Sequence, residues 1–258
     1  MPKTTLITGA TSGFGEATAR RFAAEGHRVI ITGRRKERLD ALQRELEGLY
    51  GSIDGHDQVH CLHFDVTDHD AVAHAIASLP PAWSAVDVLV NNAGLAAGLD
   101  AIQNGKLEDW ERMLDTNVKG LLYVTRAVIP GMITRKAGHI INIGSTAGKE
   151  VYPKGNVYCA SKHAVDALSK GFRQDLLPYG IKVTQVAPGM AETEFSVVRF
   201  EGDEARAEQV YQGLQPLRPD DIAELVYYVT TLPAHVCVND LVVTPTAQAN
   251  STMVHREV

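Results

Sequence analysis

Short β-branched runs alternate with longer segments of helical spacing along nearly the whole chain. Thr4-Thr-Leu-Ile7, Arg28 to Thr32, His60 to Phe64, Val86 to Val90, Gly138 to Ile143, Lys182 to Val186 and Val236 to Val243 read as seven strands. Between them, Phe14 to Glu25, Lys36 to Leu49, Asp70 to Leu79, Trp110 to Met132, Val157 to Leu177 and Asp220 to Thr231 carry apolar residues at helical spacing. The stops fit: Gly26 follows the first helix, Pro80-Pro81 closes the third, and Pro219 opens the last. Repeated strand–helix units predict an α/β chain, one domain over residues 1–258, with a parallel sheet and right-handed crossovers that place helices on both faces. Pro188 to Arg218 has no clear period. A stretch that long is either a functional lid or a solvated excursion.

Composition narrows the function classes. In 258 residues, 45% are apolar, enough for one sizeable core. A net charge of −6 argues against a nucleic-acid partner. Met1 leads directly into a strand with no apolar run of signal or spanning length, so a cytoplasmic protein with no membrane partner is expected. Cys61, Cys159 and Cys237 have no CxxC spacing, which fits reduced thiols. His60 and His63 lie in a strand whose alternation sends them to opposite faces, and no metal site is read.

Two stretches suit a dinucleotide. Strand one runs into Thr8-Gly9-Ala10-Thr11-Ser12-Gly13-Phe14-Gly15 and then a helix. Glycines there permit a tight turn and close approach to a pyrophosphate, which the helix N-terminus stabilises. Strand two ends in Thr32-Gly33-Arg34-Arg35, without the acid that would bond an adenosine ribose diol. Cations are unfavourable at the start of a helix, and a 2′-phosphate would resolve the conflict by charge-assisted bonds to Arg34 and Arg35. NADP(H) is therefore favoured over NAD.

Asn156-Val-Tyr158-Cys-Ala-Ser-Lys162 holds a tyrosine and a lysine one helical turn apart, and Ser145 lies thirteen residues before the tyrosine. A lysine ammonium beside a phenol favours the phenolate, so a proton can pass to or from an alcohol without a metal.

Taken in chain order, Thr8-Gly-x-x-x-Gly-x-Gly15, Asn91-Asn92-Ala93-Gly94, Asn117 in Asp115-Thr-Asn-Val118, Ser145 with Tyr158-x-x-x-Lys162, and Pro188-Gly189 resemble the short-chain dehydrogenase/reductase superfamily over essentially the whole chain. The resemblance implies a Rossmann-type, doubly wound seven-stranded sheet. It also implies catalytic Asn117, Ser145, Tyr158 and Lys162. Cofactor contacts would come from Gly9, Thr11, Ser12, Gly13, Phe14, Gly15, Arg34, Arg35, Asp65, Val66, Asn92, Gly94, Tyr158, Lys162, Pro188, Gly189 and Thr193. Asp65 would meet the adenine amino group, Val66 its ring, and Asn117 would place a water joining Lys162 to solvent.

Local wording at Gly13-Phe-Gly-Glu16, Asn142 to Gly148, Thr193-Glu-Phe-Ser196 and Leu232 to Val236 is similar to the NADP-dependent 3-hydroxy acid dehydrogenases, which act on serine, allo-threonine or 3-hydroxypropionate. Pro188-Gly-Met-Ala-Glu-Thr193 departs from that subgroup in length and in carrying Met190 and Glu192. The implied substrate is a small hydroxy acid held at Ser145 and Tyr158, its carboxylate met by Arg199 or Lys149. A homotetramer built on the two longest helices is also implied. The alternatives are another short-chain reductase, of ketones or of 3-oxoacyl thioesters (the acidic Glu201-Gly-Asp-Glu204 disfavours the thioesters on their carrier protein), and a non-catalytic NADPH sensor, which has no need of a proton relay.

Overall fold

The first strand, β1 (Thr4–Ile7), is buried at every position, and β2 (Arg28–Gly33) pairs parallel to it with Leu6 opposite Ile30. The computed structural model describes residues 2–53 and 55–257 of the chain. Beyond β2 lies β5 (Val59–His63); on the other side of β1 follow β6 (Val88–Asn91), β7 (Gly138–Ile143), β8 (Ile181–Pro188) and β9 (Asp240–Val243). All seven strands pair in parallel, in the order β5-β2-β1-β6-β7-β8-β9. A small antiparallel pair, β3 (Ser52–Ile53) and β4 (His56–Asp57), stands apart from the sheet.

Strand alternation sorts the core. Ile7, Ile31, Val90, Ile141 and Val186 face the helices α1 (Gly13–Ala24), α2 (Lys36–Tyr50) and α9 (Pro219–Thr231), against Phe22, Leu39, Leu46, Ile222 and Val226. Leu6, Ile30, Leu89, Ile140 and Val183 face the other way, where Val72 of α3 (His69–Ala77) and Val124, Val128 and Met132 of α5 (Leu121–Arg135) cover them. These side chains are almost all without solvent contact. At about 1.5–3 kcal/mol for each large side chain buried, the two sheet faces supply the main drive to fold.

The stretch expected as one helix from Trp110 to Met132 is longer and interrupted. It runs as α4 (Leu107–Leu114), a π-helical turn Asp115–Gly120 and α5, passing through Pro130. Helix α6 (Asn156–Asp175) lies beside it. The stretch read as aperiodic contains two short helices, α7 (Glu194–Arg199) and α8 (Glu204–Gln209), each capped by a side chain just before it: Thr193 Oγ1 accepts from Phe195 N at 3.1 Å, and Asp203 Oδ1 from Arg206 N at 3.0 Å. The last strand begins later than expected, at Asp240. Among the described residues, no helix is long and apolar enough to cross a membrane.

Candidate active site

The chain leaves β1 toward β2 on one side and returns to β6 on the other, so a crevice opens at the C-terminal ends of β1 and β6, where ligands bind in sheets of this kind. A cavity of about 320 Å³ lies there. It is lined by Gly9, Thr11, Ser12, Gly13 and Phe14 after β1; Arg34 and Arg35 after β2; Asp65 and Val66 after β5; Asn92 and Gly94 after β6; Ser145 after β7; Pro188 and Gly189 after β8; and Tyr158, Lys162 and Thr193. Three expected residues stand just outside it: Gly15, Asn117 and Arg199.

Gly15 acts from behind the loop. A Cβ there would come within 2.4 Å of Asn92 Nδ2 and of the Gly9 carbonyl. Gly9 itself takes φ +67°, where an L side chain is strained. Asn92 Nδ2 donates to the carbonyls of Thr8 (2.9 Å) and Gly9 (3.2 Å), while Thr8 Oγ1 accepts from the N–H groups of Asn92 and Ala93, both at 3.0 Å. The Asn92 amide thus holds the glycine loop, while the residue also lines the cavity. Thr8 is a loop-fixing residue that the glycine spacing alone did not single out.

The π-helical turn carries Asn117 inward. Its Nδ2 donates to Leu95 O at 2.8 Å and to Ser161 Oγ at 3.0 Å, and its Oδ1 accepts from Leu95 N at 2.8 Å. Both amide hydrogens are engaged within the protein, and the side chain clamps the loop following Gly94 to α6. Lys162 reaches from α6 to donate to Ile143 O at 2.9 Å, leaving two of its three donors without a protein acceptor. Ser145 opens a short 3₁₀ turn, and its Oγ accepts from Ala147 N at 3.1 Å. That leaves the hydroxyl hydrogen free to donate elsewhere.

Electrostatics here differ from the expectation that Lys162 would lower the Tyr158 pKa. Burial dominates both groups. It raises the Tyr158 phenol above the ordinary tyrosine range, with the neighbouring Tyr152 adding to the rise and Ser145 and Arg199 opposing it. It lowers the Lys162 ammonium from 10.5 to about 8. Each shift disfavours the charged form, as desolvation must.

The two candidates for a carboxylate partner separate clearly. Lys149 is corrected: its ammonium is bonded to Asp166 of α6 and Asp240 of β9, and it does not line the cavity. Arg199 ends α7 beside the tyrosine. Its guanidinium carbon lies 5.7 Å from the Tyr158 ring centre and 5.6 Å from that of Tyr152, its Nε donates to Gly98 O at 3.2 Å, and its Nη2 is buried without a partner. Phe195, one turn earlier, packs on Tyr158 at 5.6 Å between ring centres. Tyr152, Phe195 and Val198 were not among the expected site residues, although Phe195 and Val198 lie in stretches that carry the family likeness. Among the described residues, no group of three or more His, Cys, Asp or Glu side chains is placed to hold a metal.

Glycine loop, exposed arginines and the Ser145, Tyr158 and Lys162 cluster converge in a family match: residues 3–204 fit the sequence profile of the short chain dehydrogenases, and the chain belongs to that family. Its relatives make the likeness more specific. It is 49% identical over 254 residues to the NADP-dependent 3-hydroxy acid dehydrogenase YdfG of Escherichia coli (strain K12), covering 98% of this chain and 99% of that protein. It is also 51% identical over 245 residues to sulfoacetaldehyde reductase 2 of Chromohalobacter salexigens, covering 95% and 94% of the two chains. Among solved structures, the closed form of serine dehydrogenase complexed with NADP⁺ superposes with a TM-score of 0.91 at 48% identity, covering 98% of this chain and 100% of that one. The Escherichia coli serine dehydrogenase structure gives 0.82 at 44% identity, covering 95% and 99%.

Proposed function

We propose that the protein is an NADP(H)-dependent oxidoreductase that interconverts a small 3-hydroxy acid, of the L-serine, L-allo-threonine or 3-hydroxypropionate type, and the corresponding 3-oxo acid or semialdehyde. The dinucleotide fits the residues present. Arg34 is largely exposed with one long contact, 3.4 Å to Asp65, so its guanidinium is available to a 2′-phosphate. The two Lys162 donors without a protein acceptor suit ribose hydroxyls, and the loop of Gly9 to Phe14 brings backbone close to a pyrophosphate. When bound, NADP(H) supplies the hydride acceptor or donor. The chain's residues do the rest. Tyr158 takes the proton of the substrate hydroxyl on oxidation and returns it to the carbonyl oxygen on reduction. Ser145 donates to that same oxygen as charge develops on it. Lys162 holds the cofactor ribose, and Asn117 keeps the loop after β6 and α6 in register, with the relay water proposed beside it.

Arg199 carries the substrate assignment. A buried guanidinium nitrogen without an acceptor, next to the proposed acid/base, is costly until an anion joins it. A carboxylate can receive it bidentately with Nη1. The test compares a 3-hydroxy acid with its methyl ester in Arg199→Ala. Loss of one charge-assisted bond of about 1.5–3 kcal/mol should lower kcat/KM for the acid roughly tenfold to a hundredfold while sparing the ester. Lys149→Ala should leave the acid unaffected, and wild type preferring the ester would defeat the assignment. The identity to a sulfoacetaldehyde reductase supports a second reading: the same guanidinium can take a sulfonate, and turnover of sulfoacetaldehyde exceeding that of malonic semialdehyde would favour it.

We also propose a cytoplasmic homotetramer. Leu107 and Leu114 on α4 are exposed, and Leu122, Ala164 and Leu168 on α5 and α6 are only partly covered, so these helices retain apolar surface for a second copy.

A further inference from the structure

Helix α7 roofs the cavity and is fastened at both ends to different parts of the chain. Phe195 and Val198 line the cavity from above. At the far end, Gly98 N donates to Arg199 O at 3.2 Å, Arg199 Nε donates to Gly98 O, and Lys106 Nζ holds Glu201 Oε1 at 2.8 Å. At the near end, the two oxygens of Glu194 are divided between two arginines: Oε2 accepts from Arg35 Nη1 at 2.9 Å and Oε1 from Arg38 Nη1 at 2.6 Å. Six residues at 1.5 Å each make α7 about 9 Å long, a short rigid bar between the two fastenings.

Arg35 is committed on every side. Its Nη2 reaches Thr11 Oγ1 at 2.9 Å and Ser12 Oγ at 2.8 Å, its Nε reaches Thr11 Oγ1 at 3.1 Å, and its Nη1 has Glu194. It joins the glycine loop to the lid. Arg38 does not line the cavity and divides its guanidinium between Glu194 and the Thr11 carbonyl. Among the described residues, the Arg34 guanidinium has only the long contact of 3.4 Å to Asp65. Partial burial works against a charge on Glu194, yet Arg38 and Arg35 hold its carboxyl below the ordinary range.

We propose that Glu194 is a positioning residue, a clasp that fastens the start of α7 to Arg35 and Arg38, so that the lid closes over the reacting centre by way of the arginine cluster that receives the cofactor's 2′-phosphate. Arg34 takes the phosphate, Arg35 bridges phosphate loop and lid, and Arg38 ties the lid to the Thr11 carbonyl from outside the cavity. This division of labour rests on the NADP(H) reading above. Loosening the clasp leaves Tyr158, Lys162 and Ser145 in place, so it weakens retention of cofactor and substrate more than the chemical step.

The experiment uses the full-length enzyme with Glu194→Gln, Arg38→Gln and the double variant. NADPH dissociation is read by stopped-flow fluorescence, KM and kcat with a 3-hydroxy acid, NADP and NAD affinities by titration, and lid closure by tryptic cleavage after Arg199 and Arg206. A partly exposed carboxylate–arginine clasp of this kind is worth about a fivefold change. Each single substitution should speed NADPH release and raise substrate KM by about that factor with kcat little changed, and should hasten cleavage in the lid. The double variant should be little worse than Glu194→Gln, which already removes the bond between Glu194 and Arg38 as well as the one to Arg35. Unchanged release and cleavage in Glu194→Gln, additive effects in the double variant, or a shift of the NADP-to-NAD affinity ratio in Arg38→Gln would each overturn the clasp. Failure of the underlying NADP(H) reading shows separately, as a wild type that does not prefer NADP.

Discussion

Lys162 offers the sharpest quantitative test of the site, because its burial can be read in folding stability without any ligand. Its side chain is 6% exposed, it donates to one carbonyl, and desolvation lowers its pKa from 10.5 to about 8. At 1.36 kcal/mol per pH unit, the charged lysine therefore costs the folded state about 3 kcal/mol near neutral pH. The sign follows from proton counting. Between about 8 and 10.5 the unfolded chain holds a proton that the folded protein has lost, so stability rises with pH across that window, and the gain is lost as pH falls through 8. From about pH 7 to about pH 9.5 the penalty shrinks by about 2 kcal/mol. The perturbation is Lys162→Met, measured by urea unfolding at both pH values beside wild type. The variant forfeits the bond to Ile143 O, a roughly constant offset of about 1.5–3 kcal/mol. The pH-dependent part survives that offset: the stability of wild type relative to the variant should improve by about 2 kcal/mol at the higher pH. A difference constant to within about 0.5 kcal/mol would mean that Lys162 is solvated in the folded state and that the reasoning is wrong.

Tyr158→Phe removes only the exchangeable proton, so kcat should fall a hundredfold or more while NADPH affinity measured by fluorescence stays close to wild type; retention of about a tenth of the rate would disqualify Tyr158 as the acid/base. Arg34→Ala should cost about one to two powers of ten in NADP affinity and little in NAD affinity, and Arg35→Ala should weaken both, since its bonds hold the glycine loop; an unchanged ratio in both variants would remove the basis for cofactor preference. Light scattering at micromolar concentration should give about four times the chain mass, and a monomer would refute the helix-face pairing.

The sheet was legible because each central strand is a β-branched run, and its neighbours are punctuated by Gly and Pro. The π-helical turn at Asp115–Gly120 was not, since the apolar helical pattern continues through it and its cause is tertiary: Asn117 must meet both Leu95 and Ser161. Helices α7 and α8 are too short for periodicity to register, although Thr193 and Asp203 are cap residues that mark both starts. The β3–β4 pair, two residues on each strand, is likewise too short for alternation to register. Sequence proximity misplaced Lys149. It lies four residues from Ser145, but the 3₁₀ turn Thr146–Gly148 carries it away to Asp166 and Asp240.

The same burial that makes Lys162 costly also constrains how the site can work. Tyr158 and Lys162 are both displaced toward their neutral forms, so the protein alone opposes the phenolate–ammonium arrangement that proton transfer from an alcohol requires. Opposite charges brought into a buried site lower that barrier only if they arrive together and exclude water. The fold places the means for both close at hand. Lys162 has two donors awaiting acceptors, Arg199 has one, and α7 joins the arginine cluster to the loop of Gly98 while setting Phe195 against the tyrosine. On the proposed function, a carboxylate at Arg199 supplies compensating charge, and ribose hydroxyls at Lys162 replace its lost hydration, as the roof seats. On the proposed function, acid–base competence is therefore a property of the closed, liganded site, in which the segment between Pro188 and Arg218 would be as much a part of the chemistry as the tyrosine it covers.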